Sequence, residues 1–172
     1  MEIRLLAYKD REGLLDLLDQ SYDEVKNNSL LGESLRIKRP NRSYSRKWFA
    51  DLYKNLVKRG DCIFIVAVEN KNIIGFCSVI KKDIPDSEMS HIGVLGIRVA
   101  ESHRGKGIGT KLIEQALKLC KGKFEIIELI VFSNNRAKRL YERLGFKTWG
   151  TAPGYIKRNN RHIDLDNMYL KL

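Results

Sequence analysis

Three glycines alternate through "RGKGIGT", residues 104 to 110, and the residues that follow, "KLIEQALKLC", carry apolar side chains at helical spacing. Gly105, Gly107 and Gly109 remove side chains where a backbone must come close to a ligand. The unpaired N–H groups of a helix's first turn would point into the cleared space, with the positive end of the helix dipole behind them. That arrangement suits a phosphate. A dinucleotide fingerprint needs a glycine three beyond Gly107, and a Walker-type loop needs one five beyond Gly105; Thr110 stands at that position in both cases. Taken alone, the glycines fit equally well a turn that only starts a helix.

The second group lies further on, in "SNNRAKRLYERLGF", where Ala137, Leu140, Tyr141 and Leu144 follow helical spacing and Gly145 can close the helix. Asn134 suits either an N-cap for that helix or a ligand-binding amide. Tyr141 suits a core position or an acid, since a phenol with a pKa near ~10 holds its proton at neutral pH.

These groups need a frame to hold them. Residues 10 to 19 are predicted helical from the stripe of Leu14, Leu15, Leu17 and Leu18, and "SRKWFADLYKNLVKR" gives a second helical stretch. "CIFIVAV" and "NIIGFCSVI" read as a hairpin joined by "ENKN". "HIGVLGIRV" leads into the glycine stretch, and "FEIIELIVF" follows the helix. Strand, turn, helix and strand in that order place two parallel strands in one sheet. Gly96 marks a place for a bulge or a close backbone approach, and "RHIDLDNMYLKL" reads as a closing strand. No linker or repeat divides the chain, so residues 1–172 are expected to form one domain.

The glycine and Asn–Tyr motifs in this order closely resemble the GCN5-related N-acetyltransferase (GNAT) superfamily over residues 91 to 149. Its first signature is Arg or Gln, two residues, Gly, one residue, then Gly or Ala, and Arg104, Gly107 and Gly109 match it. The resemblance implies an α/β (α+β) fold with a central, mostly antiparallel sheet flanked by helices and a parallel strand pair splayed at the site. It implies acetyl-CoA as co-substrate, held by Arg104, Gly105, Lys106, Gly107, Ile108, Gly109 and Thr110 at its pyrophosphate. Ile97, Arg98 and Val99 would hold the pantetheine arm like an added strand, and Asn134 would fix its amides. An N–H of Ile97 or Arg98 could bind the oxyanion, and Tyr141 resembles the general acid for the departing thiolate.

The reaction so implied is direct acetyl transfer to a primary amine, with no covalent enzyme intermediate, because no Cys–His or Ser–His pair is visible. The expected acceptor is a small molecule such as a polyamine or amino acid derivative, with a protein α-amine or lysine as the alternative. The tail "GTAPGYIKRNNRHIDLDNMYLKL" resembles that of small-amine and ribosomal-protein acetyltransferases, whose last hairpin helps wall the acceptor site. Family members draw their base from positions that here hold Gly93 and Leu129, neither able to take a proton. His91, two residues from Gly93, is the expected catalytic base, acting through water; a water chain ending on backbone carbonyls is the other route. Glu128 is expected to point away from the face of Leu129, which argues against it as the base.

Composition narrows the classes. The longest apolar runs are too short to span a bilayer, and the first residues lack the basic start and continuous apolar stretch of a signal peptide, so a cytoplasmic protein with no membrane partner is expected. Cys62, Cys77 and Cys120 are widely spaced among apolar neighbours and read as core residues, with neither a disulfide framework nor a metal site. A net charge of +11 raises the class of basic nucleic-acid-binding modules, with clusters at "RIKRPNR" and "KRNNR". No RNA- or DNA-binding motif accompanies the charge, so no specific nucleic-acid partner is expected. A homodimer is left open.

Overall fold

The computed structural model describes residues 1–27, 39–82, 88–158 and 160–172. Residues 36–38 of the first basic cluster and Asn159 of the second lie outside these. Among the described residues seven strands form one sheet in the order β1-β2-β3-β4-β5-β7-β6. They are β1 (Glu2–Leu5), β2 (Cys62–Glu69), β3 (Asn72–Lys81), β4 (Ile92–Val99), β5 (Ile126–Phe132), β6 (Lys147–Arg158) and β7 (Arg161–Lys171). Every neighbouring pair is antiparallel except β4 and β5. The helices are α1 (Arg11–Asn27), α2 (Arg42–Leu52), α3 (Ile108–Cys120) and α4 (Lys138–Arg143).

Strand β2 shows why the apolar run is continuous. Ile63, Ile65 and Ala67 face a core shared with α3 and α4, while Cys62, Phe64 and Val66 face a second core with Leu14 and Leu15 of α1 and Phe49 of α2. Both faces of the strand are covered, so neither can be polar. The β2–β3 hairpin closes through a two-residue loop in which Asn70 and Lys71 both take left-handed φ, of 49° and 67°. That matches the twist of the flanking strands.

Three expectations need correction. The opening residues 2–5, ahead of the first predicted helix and assigned to no element, pair as strand β1 with β2. The first helix runs on to Asn27, and the second begins at Arg42, capped by the Asn41 side chain, which accepts the Tyr44 N–H at 2.8 Å, and ends in a π-helical turn over Tyr53–Val57. Strand β4 pairs with β3 without a register shift, so no bulge interrupts the β3–β4 ladder at Gly96. That residue is small because a Cβ there would lie 3.3 Å from the Ser78 hydroxyl.

An ion network ties α1 to α2. Arg42 reaches Glu12, Asp16 and Asp19, and Arg46 also reaches Glu12. The hydrogen bonds from Arg46 and Arg42 hold the Glu12 carboxyl at about 2. Just before the start of α1, Arg4 grips Asp10 through two bonds of 2.7 and 2.8 Å. All three cysteines are buried. Among the described residues no helix is long and apolar enough to cross a membrane.

Candidate functional site

The parallel ladder between β4 and β5 has only three rungs, Ile92–Ile126, Gly93–Ile127 and Val94–Glu128. Beyond Val94 the strands part. On its other side β4 stays paired with β3, where the Ala100 N–H donates to the Ile74 carbonyl and the Ile92 carbonyl accepts from Lys82. Backbone groups alternate sides along a strand, so the even-numbered residues of β4 bond to β3 and the odd-numbered ones turn toward the gap. Leu95, Ile97 and Val99 therefore line it with backbone N–H and C=O groups, while the Arg98 backbone faces Phe76 in the ladder.

The glycine loop closes one end. Gly105 and Gly107 have φ of +74° and +77°, a region only glycine enters cheaply, and nothing lies within 4 Å of where their Cβ atoms would be. Gly109 has a different reason: a Cβ there would press on Leu140 of α4 at 3.3 Å. The first bond of α3 runs from the Lys111 N–H to the Gly107 carbonyl. The amides of Ile108, Gly109 and Thr110 precede it and have no carbonyl of their own helix to meet. Lys106 is exposed on the same loop.

Together the gap and the loop bound a cavity of about 1290 Å³, whose lining includes residues 95–99, 107–110, Asn134 and Tyr141. Tyr141 is 7% exposed and meets Phe146 edge-on at 6.0 Å. Helix α4 is held by a buried carboxylate: Asp166 of β7 accepts from Thr151 at 2.6 Å and lies 2.7 Å from the Lys138 ammonium. Burial would raise the Asp166 carboxyl, but the Lys138 ammonium and the Thr151 hydroxyl outweigh it and hold the carboxyl below its ordinary value. Asn134 lines the cavity and does not cap α4. The neighbouring Asn135 shapes that turn, its side chain accepting the Ala137 N–H at 2.8 Å.

The two arginines behave differently from the glycines. Arg98 is 5% exposed, and its guanidinium lies 3.3 Å from Glu24 of α1. Arg104 donates to the Val99 carbonyl at 3.0 Å and to Glu24 at 2.5 Å.

His91 is not brought to the gap. It precedes β4 at the closed end of the parallel pair, its Nδ1 sits 3.0 Å from the Glu88 carbonyl, and its own carbonyl accepts the Glu125 N–H. Ile97 lies six positions further on, about 20 Å along a strand. Gly93 offers no guide either, since a Cβ there would meet Val79, Ile127 and Phe124 in the core.

The sheet's two faces are unequal at the gap. Ile127, Leu129 and Val131 are sealed under α3 and α4, whereas Val94 and Ile130 on the opposite face are 39% and 54% exposed. Glu128 shares that open face and pairs with Lys82 at 2.7 Å. Its orientation away from Leu129 thus directs it toward the accessible side, which strand alternation alone does not reveal.

A sequence profile of the acetyltransferase (GNAT) family matches residues 29–146, more than half of the chain. N-alpha-acetyltransferase 40 of Saccharomyces cerevisiae is 36% identical over 75 residues, 38% of this chain; the match spans only 26% of that protein. Spermidine N(1)-acetyltransferase of Vibrio cholerae is 27% identical over 150 residues, covering 76% of this chain and 81% of that one. Among solved structures, yncA from Salmonella typhimurium with its cofactor acetyl-CoA superposes with a TM-score of 0.84 at 20% identity, covering 100% of this chain and 94% of that one. That likeness bears on the fold.

Proposed function

The chain belongs to the acetyltransferase (GNAT) family, and from that premise we propose that it transfers acetyl from acetyl-CoA directly to the primary amine of a small molecule, such as a polyamine or an amino acid derivative. One observation carries the reading: β4 and β5 part after Val94 beside a helix start led by left-handed glycines. Phosphates fit the amides of Ile108, Gly109 and Thr110. A pantetheine arm fits the gap as an added strand, bonding to the backbone of Leu95 and Ile97 and to the Val99 N–H. The Val99 carbonyl is already taken by Arg104.

Because Arg98 turns its backbone to β3, the Ile97 N–H is the oxyanion donor in this reading. The amine approaches from the open face over Val94 and Ile130, attacks the thioester carbonyl, and expels the CoA thiolate toward the Tyr141 hydroxyl. The amine's proton passes to water on that face, where Glu128 and Lys82 form the polar edge. Asn134 holds the amides of the arm.

A protein α-amine is the second reading, supported by the N-alpha-acetyltransferase among the relatives. One screen tests both. Purified protein is given acetyl-CoA with polyamines, amino acid derivatives or short peptides, and CoA release is followed. Turnover with small amines is expected; turnover with peptides alone moves the assignment to the second reading, and none with any amine rejects both.

A further inference from the structure

The chemistry above draws on the backbone of β4 and the glycine loop, and leaves open why two arginines of that segment converge on one carboxylate of α1. Glu24 is 9% exposed, and its Oε2 atom lies 3.3 Å from Arg98 and 2.5 Å from Arg104. Arg104 also donates through Nε to the Val99 carbonyl at 3.0 Å. One side chain of α1 is thus fastened to β4 and to the head of the loop at once.

The loop needs such an anchor. Gly105, Lys106 and Gly107 are exposed, and the two glycines have no atom within 4 Å of their Cβ positions, so apolar packing does not fix them. A glycine-rich segment without packing is free to sample many conformations, and ordering it on binding would weaken a ligand's affinity. Arg104, at the head of the segment, is held at two points of its planar fork, a geometry that lysine cannot reproduce. Largely dehydrated ions of this kind persist only where partners hold them in good geometry.

We propose that Glu24 is a positioning residue for the phosphate loop. It holds Arg104 so that the amides of Ile108, Gly109 and Thr110 face a phosphorylated ligand before that ligand arrives. Arg98 keeps the carboxylate on the sheet. The proposal rests on the reading of the cavity as an acetyl-CoA site, and it adds that the helix on the acceptor side sets the strength of cofactor binding.

The test compares wild type with Glu24→Gln, which keeps the shape and removes the charge. Calorimetry with CoA and steady-state kinetics with acetyl-CoA and an accepted amine are the readouts. The expected result is a CoA dissociation constant and acetyl-CoA KM raised about tenfold, with kcat at saturation within about threefold of wild type. Hydrogen exchange across residues 104–110 should quicken in the free variant and return to the wild-type rate at saturating CoA. Unchanged CoA affinity overturns the proposal, and so does a fall in kcat at unchanged KM, which would place Glu24 in the chemistry. If Glu24→Gln does not fold, Arg104→Lys decides by the same measurements, since it breaks the fork and keeps the charge; wild-type affinity there overturns the proposal. Wild type that binds no CoA rejects the acetyl-CoA reading itself, a different failure.

Discussion

The two sides of the gap between β4 and β5 are built from different materials. On the cofactor side the groups are backbone: the turned-out amides and carbonyls of Leu95, Ile97 and Val99, the start of α3, and two glycines in left-handed geometry. On the acceptor side they are side chains from separate elements: Val94 from β4, Glu128 and Ile130 from β5, and Lys82 from the end of β3. A backbone site binds whatever shares one invariant shape and charge, here a phosphorylated arm. A side-chain site can be changed one residue at a time without disturbing the frame, so in the proposed reading it is where acceptor choice would reside.

Tyr141 is the side chain on the cofactor side on which the proposed chemistry relies most, and the largest effect is expected there. Tyr141→Phe should lower kcat by about a hundredfold and leave the acetyl-CoA KM within about twofold. Turnover equal to wild type would make the cofactor side a binding surface alone. Next, Gly107→Glu forces a side chain into left-handed φ and sets a negative charge where phosphate belongs. CoA affinity should fall about thirtyfold by calorimetry while thermal unfolding shows the fold intact; equal affinity would break the idea of a backbone phosphate site.

A smaller effect, on stability, is expected at Asp166, which secures α4 and with it Tyr141. Asp166→Asn should cost about 1.5 kcal/mol in denaturant unfolding at neutral pH. The folded-state pKa of this carboxyl is depressed, so its contribution is present above the unfolded value of ~3.9 and is lost as pH falls through the lower folded value. The gap between wild type and variant should therefore hold from pH 7 to about 4 and close below that; a gap unchanged at pH 2 would remove the charge from the explanation. The smallest effects are expected for the acceptor side's proton. Glu128→Gln should shift the acceptor KM or the pH profile of kcat a few-fold, about threefold, and His91→Ala should leave both unchanged. A lost inflection in His91→Ala would mean that a residue at the closed end of the strand pair reaches the reaction.

The same contrast explains what could be read in advance. The loop, α3 and the pairing of β2 with β3 follow from glycine spacing and apolar periods, which are local properties, whereas the placement of Asn134 and Tyr141 at the cavity was implied by the family resemblance. Strand β1 could not be read, since "EIRL" is four residues long and its pairing with β2 is a tertiary fact. The helical run after Gln20 is polar, and its buried face, with Ser21 and Glu24, becomes visible only when β4 and the loop are in place. Strand alternation correctly set Glu128 opposite Leu129, yet which face was open depended on where α3 and α4 would lie. Parity misdirects the choice of base in the same way: Gly93 faces the core, so a residue sharing its face points away from the accessible side.

The cysteines offer one more use. Burial pushes the thiols of Cys62 and Cys120 up to about 12, and that of Cys77 higher still, so none is nucleophilic in the native protein at neutral pH. Alkylation can proceed only when a molecule opens enough to admit the reagent. Cys77 of β3 and Cys120 at the end of α3 lie in the core packed against α3, whereas Cys62 belongs to the core under α1 and α2. The rates at which the three are modified are thus separate clocks for the opening of the two cores, and a ligand held at the start of α3 should slow two of the three clocks more than the third.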